Sequence, residues 1–175
     1  MGFTYSIKNQ NNQHFVTFTV HQWVDVFTRN CYKDIIIDSL KHCQKEKGLK
    51  IYAWVIMSNH IHLIIQSDLV KLSDIIRDFK KFTASQIVKA IENNVQESRK
   101  KWLLWLLKKE NKIWFWEEGY HGEEILTKEF YDIKKDYIHA NPVRAGIVEK
   151  EEEYLYSSAG DYYGSPKGII DIEFE

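Results

Sequence analysis

Two apolar, β-rich runs only two residues apart constrain the fold more than any other feature of this chain: KIYAWVIM from Lys50 to Met57 and HIHLIIQ from His60 to Gln66. Ser58 and Asn59 between them are turn-prone, so the pair reads as a β-hairpin. The rest of the pattern fits around it. HFVTFTV, from His14 to Val20, alternates and reads as a strand. Asn30 is positioned to cap a helix over about Cys31–Lys47, with Tyr32, Ile36, Leu40 and Cys43 as its inner stripe and Gly48 as its stop. Leu72, Ile75, Ile76, Phe79, Phe82, Ile87 and Ile91 recur at helical spacing up to about Asn93, and a second basic helix is expected over roughly Ser98–Lys109. IWFW, Ile113–Trp116, reads as a short strand. Thr127 caps a last helix that should end near Asn141, because Pro142 disfavours helical geometry in the residue before it. Strand, helix, hairpin, helices, strand, helix predicts an α+β fold with a mainly antiparallel sheet. With no repeat and no Pro/Gly-rich linker, one domain over 1–175 is the simplest organisation.

Charge is informative by its distribution. The net charge is −1, yet Lys71–Lys112 holds eleven basic against five acidic residues, and 149–175 holds eight acidic against two basic. A chain polarised in this way offers a basic face to a polyanion and ends in an acidic tail that would shield the site or discourage nonspecific DNA. Aromatic residues reach 14%, with six Trp and ten Tyr, enough for a large core or for a surface on which bases stack. No run approaches the length of a membrane span, and MGFTYSIKNQ lacks a signal-peptide pattern. Cys31 and Cys43 are the only cysteines, which excludes a disulfide framework and makes a reducing cytoplasm the default.

Two constellations can carry chemistry. His60 and His62 are two apart on a strand, so both imidazoles leave the same face while Ile61 enters the opposite layer. Such a pair is half of a metal site, although with seven histidines in the chain a His-x-His arises by chance roughly 0.3 times. The second constellation is Tyr137-Ile-His-Ala-Asn141-Pro142-Val-Arg144-Ala-Gly146. On a helix, Tyr137 and Asn141 lie one turn apart on one face, a phenol beside an amide oxygen, and Arg144 at the exit can grip a phosphate.

Taken together, YAWVIMSNHIHLII around the histidines and DYIHANPVRAGIVE around Tyr137 resemble the REP-associated tyrosine transposases of the HUH single-tyrosine superfamily. FVTFTV, FKKFTA, FWEEGYH and YSSAGDYY extend the resemblance, in order, over about residues 14–165. It implies a ferredoxin-like or RRM-like sheet with helices packed on it and the HUH pair on a central strand. It also implies cleavage of single-stranded DNA beside REP-like palindromic hairpins, leaving a covalent 5′-phosphotyrosine and a free 3′-hydroxyl. Tyr137 would be the nucleophile, and His60, His62 and Asn141 would hold a divalent metal. Three neutral ligands leave the charge of Mg²⁺ or Mn²⁺ free to capture a phosphodiester, with Mn²⁺ the better match to imidazole. Relatives carry a glutamine one turn after the tyrosine, so the shorter Asn141 must reach further, and His139, Glu117, Glu118 and His121 are its rivals.

Tyr131, six residues from Tyr137, falls on the other side of the helix and reads as packing. Energy stored in a phosphotyrosine makes a nucleotide cofactor unnecessary, in agreement with the absence of a GxxxxGK[ST] loop. The charge excess nominates Arg77, Lys80, Lys81 and Arg144 as DNA contacts. A bacterial cytoplasmic, nucleoid-associated protein acting as a monomer or homodimer, without a membrane role, is expected. Two other readings use the same residues: a DNA-hairpin-binding protein without turnover, and a metal-dependent hydrolase that activates water at the histidine pair.

Overall fold

The computed structural model describes residues 7–164 and 167–175. Its centre is a four-stranded antiparallel sheet made of β1 (His14–Thr19), β2 (Leu49–Ile56), β3 (His60–Ser67) and β6 (His121–Glu124), in the order β2-β3-β1-β6. The predicted hairpin is present. Ile56 faces Ile61, and the Met57 amide donates to the His60 carbonyl at 2.8 Å, so Ser58 and Asn59 form its tip. Helix α1 (Asn30–Lys47) links β1 to β2, and α2 (Leu72–Asn93) leads away from β3. Connections of this kind place β1 beside β3 at the middle of the sheet, the arrangement of a ferredoxin-like fold.

Alternation along the strands divides the apolar side chains between two layers. Val16 and Phe18 of β1, Trp54 and Ile56 of β2, and Ile61, Leu63 and Ile65 of β3 meet α1, α2 and α3 (Lys100–Leu107) in the larger core. Phe15, Val55 and Ile64 point to the opposite face, where Tyr131 and Ile138 of α4 (Lys128–Arg144) cover them. A register shift between Ile51 and Ala53 turns both Tyr52 and Ala53 toward this second layer. The histidine pair therefore stands on the face covered by α4, on an inner strand.

Several boundaries differ from expectation for identifiable reasons. Arg29 occupies the N-cap of α1 and makes no side-chain cap, so Asn30 begins the helix rather than capping it, while Gly48 does end it with φ 67°. IWFW is not a strand: Lys112–Ile113 (β5) pairs only with Lys108–Lys109 (β4), and Trp116 makes a lone bridge to Val20. The fourth strand is instead His121–Glu124, whose HGEE sequence lacks apolar alternation because it lies at the sheet edge. Helix α4 passes through Pro142 to Arg144. Only one further turn is needed there, and the Ala145 amide still bonds the Asn141 carbonyl at 3.0 Å.

Nor is the acidic C-terminal stretch a free tail. It carries the short helix α5 (Ala159–Tyr162) and lies along β2: Ser157 bridges Val55, the Ile56 amide bonds the Tyr156 carbonyl, and Glu173 bonds Ile51. The outer edge of β2 is thereby covered by the chain itself. Among the described residues no helix is long and apolar enough to cross a membrane.

Candidate active site

On β3 the imidazoles of His60 and His62 lie side by side, with ring centroids 4.7 Å apart. Each has one nitrogen held by a neighbour, and this leaves the other free to bind a ligand. The Nδ1 of His62 is 2.7 Å from Thr17 Oγ1, across the β1–β3 register, while its Nε2 is buried with no partner. The Nδ1 of His60 is 2.7 Å from Asn59 Oδ1. The Asn59 amide nitrogen is already committed to the Trp23 carbonyl and to Asp25, so its oxygen must face the ring and accept the Nδ1 proton. Partners of this sort fix tautomer and ring orientation in metal-binding histidines.

Electrostatics points the same way. Burial above all, helped by His60, Lys134 and His121, lowers the His62 pKa to about 3. Burial also lowers that of His60, against the opposing pull of Asp25. Both imidazoles are neutral at physiological pH, the state that donates a lone pair to a cation.

Helix α4 crosses this face and delivers Tyr137. Thr127 starts the helix by accepting the Phe130 amide at 3.1 Å, and Tyr131 and Ile138 anchor its inner side. The ring of Tyr137 meets His62 edge-on at 5.2 Å and Phe15 at 6.1 Å, and Phe15 stacks on His62 at 5.4 Å. The phenol is 38% exposed, hence anchored by its ring yet open to a substrate. The Arg144 guanidinium carbon lies 5.8 Å from the Tyr137 ring centre, one cation beside the phenol.

Asn141 sits one turn along, its amide nitrogen donating to the Tyr137 carbonyl at 2.8 Å. The rival metal ligands fare differently. His139 faces the other way, fully buried, with Nε2 2.8 Å from Ser158 Oγ. Glu117 accepts the Gln22 amide at 2.6 Å and lies 3.3 Å from His21. His121 pairs with Glu123 at 2.8 Å on the edge strand. Glu118 makes no ion pair among the described residues. No third His, Cys, Asp or Glu completes a metal-binding cluster among the described residues. Tyr131 is packing: it is buried, with its hydroxyl 2.8 Å from that of Tyr162.

The four basic residues nominated for DNA contact do not form one group. Arg77 is held by Asp74 at 2.7 Å and Asp78 at 2.9 Å. Lys80 is drawn inward, donating to the Glu117 and Gly119 carbonyls, and burial lowers its pKa to about 8. Both cations already have partners within the fold. Lys81 is exposed and makes no ion pair among the described residues, and Arg144 is the cation beside the phenol.

Residues missed from the sequence are Thr17, Phe15 and, in its bond to His60, Asn59. Alternation places Phe15 and Thr17 on one face of their strand, but only the register aligns them with the histidines.

Residues 8–141 match the family described as IS200-like transposases. No curated protein matches the chain. Among solved structures, the chain is similar to a REP-associated tyrosine transposase bound to a REP hairpin, with a TM-score of 0.66 and 19% identity, over 99% of this chain and 96% of the other. A candidate transposase from Deinococcus radiodurans R1 aligns with a TM-score of 0.48 and 16% identity, over 79% of this chain and 94% of the other.

Proposed function

Because this chain belongs to the IS200-like transposase family, we propose that it cuts and rejoins single-stranded DNA beside a hairpin, with Tyr137 as the nucleophile, as a member of the REP-associated branch. The observation that carries this reading is the meeting of Tyr137 with a neutral histidine pair, one member of which has a buried, unpartnered Nε2. A structural tyrosine needs no such neighbour.

The donor set suits a divalent cation, Mg²⁺ or Mn²⁺, at His60 Nε2 and His62 Nε2, with the Asn141 amide oxygen as the third protein ligand. When bound, the cation would polarise a phosphate oxygen and offset the charge that builds on phosphorus. The Tyr137 oxygen attacks phosphorus and loses its proton to solvent. The bond from phosphorus to the 3′-oxygen breaks, and that oxygen takes up a proton and leaves as a 3′-hydroxyl. The 5′ end remains attached to Tyr137 as a phosphodiester. Attack by a 3′-hydroxyl on this linkage reverses the step, restores the phenol and joins the strands without a nucleotide cofactor. Phe15 and the body of α4 hold the phenol in position, and Arg144 offers a cation to the incoming phosphate.

Tyr137 and the histidine pair meet within one chain, and action as a monomer or as a homodimer belongs to this reading.

The reading is tested with labelled hairpin oligonucleotides carrying single-stranded flanks, incubated with Mn²⁺ and run on a denaturing gel. Wild type is expected to give a covalent band that vanishes in Tyr137→Phe and on chelation. Shifted but uncut DNA in both proteins would leave hairpin binding without turnover. Cutting that survives Tyr137→Phe would point to water activated at the histidine pair.

A further inference from the structure

Beyond the nucleophile and the histidines, the face carries a residue with no packing role. Trp23 is 62% exposed, although Val20 and Val24 on either side of its turn are buried. Its backbone lies in the left-handed region, φ 57°, directly after Gln22 at φ 53°. Two consecutive non-glycine residues in this region are rare and persist only where the surroundings enforce them.

Here three hydrogen bonds enforce them. The Gln22 amide donates to Glu117 Oε1 at 2.6 Å, the Trp23 amide to the Val20 carbonyl at 2.9 Å, and the Trp23 carbonyl accepts from Asn59 at 3.2 Å. The same Asn59 fixes the His60 ring. The constrained turn thus serves to hold an open indole 6.0 Å from His60, centroid to centroid.

The order of groups gives this indole a direction. Tyr137 lies 5.2 Å from His62, His62 lies 4.7 Å from His60, and Trp23 lies 6.0 Å from His60. Tyr137 packs at the Phe15 side of His62, whereas Trp23 flanks the His60 side, toward the hairpin tip. In phosphoryl transfer the attacking and leaving oxygens are roughly in line across phosphorus. A phosphate centred on the histidine pair and attacked from the Tyr137 end would have its leaving 3′-oxygen on the side of His60, which Trp23 flanks.

We propose that the Trp23 indole stacks on the base immediately 5′ to the scissile phosphate, the nucleoside whose 3′-oxygen departs. This rests on the reading of Tyr137 as the nucleophile. Stacking of this kind tolerates any base, because every base presents a π face. Trp23 would position the leaving group without selecting the sequence, and it would hold the freed 3′-hydroxyl in place for the rejoining step.

The test uses the full chain with Mn²⁺ and a labelled hairpin oligonucleotide pool whose single-stranded flanks are randomised. The cut position is mapped with wild type, and substrates are then made abasic either just 5′ or just 3′ of the cut. Trp23→Ala is expected to slow adduct formation on intact DNA by about 5- to 100-fold, with Trp23→Phe recovering most of the rate. On the 5′-abasic substrate, wild type and Trp23→Ala should become equal; on the 3′-abasic substrate their gap should persist. An undiminished gap on the 5′-abasic DNA, or no gap on intact DNA, overturns the proposal.

A parallel binding arm, in a Tyr137→Phe background and read by fluorescence anisotropy, applies the same abasic series across the flank. It separates the two ideas. If wild type forms no adduct, the nucleophile reading falls, and with it the placement 5′ to a cut. If adducts form while Trp23→Ala changes neither rate nor affinity, only the stacking proposal falls.

Discussion

Tyr137 of α4 stands edge-on to His62 of β3, ring centroids 5.2 Å apart and planes inclined at 68°. Contact between a phenol and an imidazole from separate elements transmits any loss of ring order in one to the other. The order of His62 in turn depends on Thr17, whose Oγ1 lies 2.7 Å from Nδ1.

Thr17→Val keeps the shape and deletes that hydroxyl. Both nitrogens of a buried ring would then lack a partner, and no hydrogen bond from β1 would hold the ring in its orientation. Mn²⁺ affinity measured by calorimetry is expected to fall by about 10- to 100-fold, and stability by about 1–3 kcal/mol. Thr17→Ser should restore the affinity. Unchanged Mn²⁺ binding in Thr17→Val would remove Thr17 from the site.

Asn141 and His139 separate metal binding from folding. Asn141 is partly exposed and bonds only its own helix, at the Tyr137 carbonyl. Asn141→Ala should lower Mn²⁺ affinity while leaving stability within about 0.5 kcal/mol. His139 is fully buried against Ser158. His139→Ala should cost about 2 kcal/mol or more in urea denaturation and leave the affinity alone. The reverse pattern would make His139 the ligand and Asn141 a bystander.

Ionic strength distinguishes the four basic residues. Replacing Lys81 or Arg144 by Ala should reduce the slope of log affinity against log salt, for hairpin DNA, by about 1 each. Arg77→Ala should change it little, since Asp74 and Asp78 already neutralise that cation. Lys80→Met should act on stability, because its ammonium satisfies two carbonyls in a half-buried setting. A full unit of slope lost in Lys80→Met would return Lys80 to the DNA surface.

These contrasts also explain what was legible in the sequence. The hairpin, α1, α2 and the shared strand face of His60 and His62 follow from periodicity, which is a local property, whereas their place on a central strand comes from the resemblance. Tyr137 was legible through its motif. Strand β6 was not, because an edge strand with one open face has no apolar alternation to display. Thr17 and Trp23 were illegible for a different reason. One depends on the β1–β3 register and the other on a left-handed turn held by Glu117 and Asn59, and neither is encoded within a window of neighbouring residues. Charge counting does not register that Arg77 is paired with Asp74 and Asp78 and that Lys80 bonds two carbonyls, because those partners are set by the fold.

Glu97 provides a test of the scaffold away from the site. Its side chain is fully enclosed and accepts from Arg29 Nε at 2.8 Å, the Arg99 amide and Nε at 3.1 Å, and the Tyr32 hydroxyl at 3.2 Å. Burial alone would raise its pKa, but the Arg99 hydrogen bonds and the charges of Arg99 and Arg29 hold it at about 2. A carboxyl whose folded pKa lies below its unfolded value stabilises the fold fully above the unfolded value, near 4.3, and loses that contribution as pH falls through the folded one. Urea denaturation should therefore show wild type losing about 3 kcal/mol from this group between roughly pH 5 and pH 2. Glu97→Gln should be about 3–5 kcal/mol less stable at pH 7, since two guanidinium groups are left facing a neutral amide, and should lack that part of the acid dependence. Equal losses in the two proteins between pH 5 and pH 2 would show that Glu97 does not anchor the start of α3 to the start of α1.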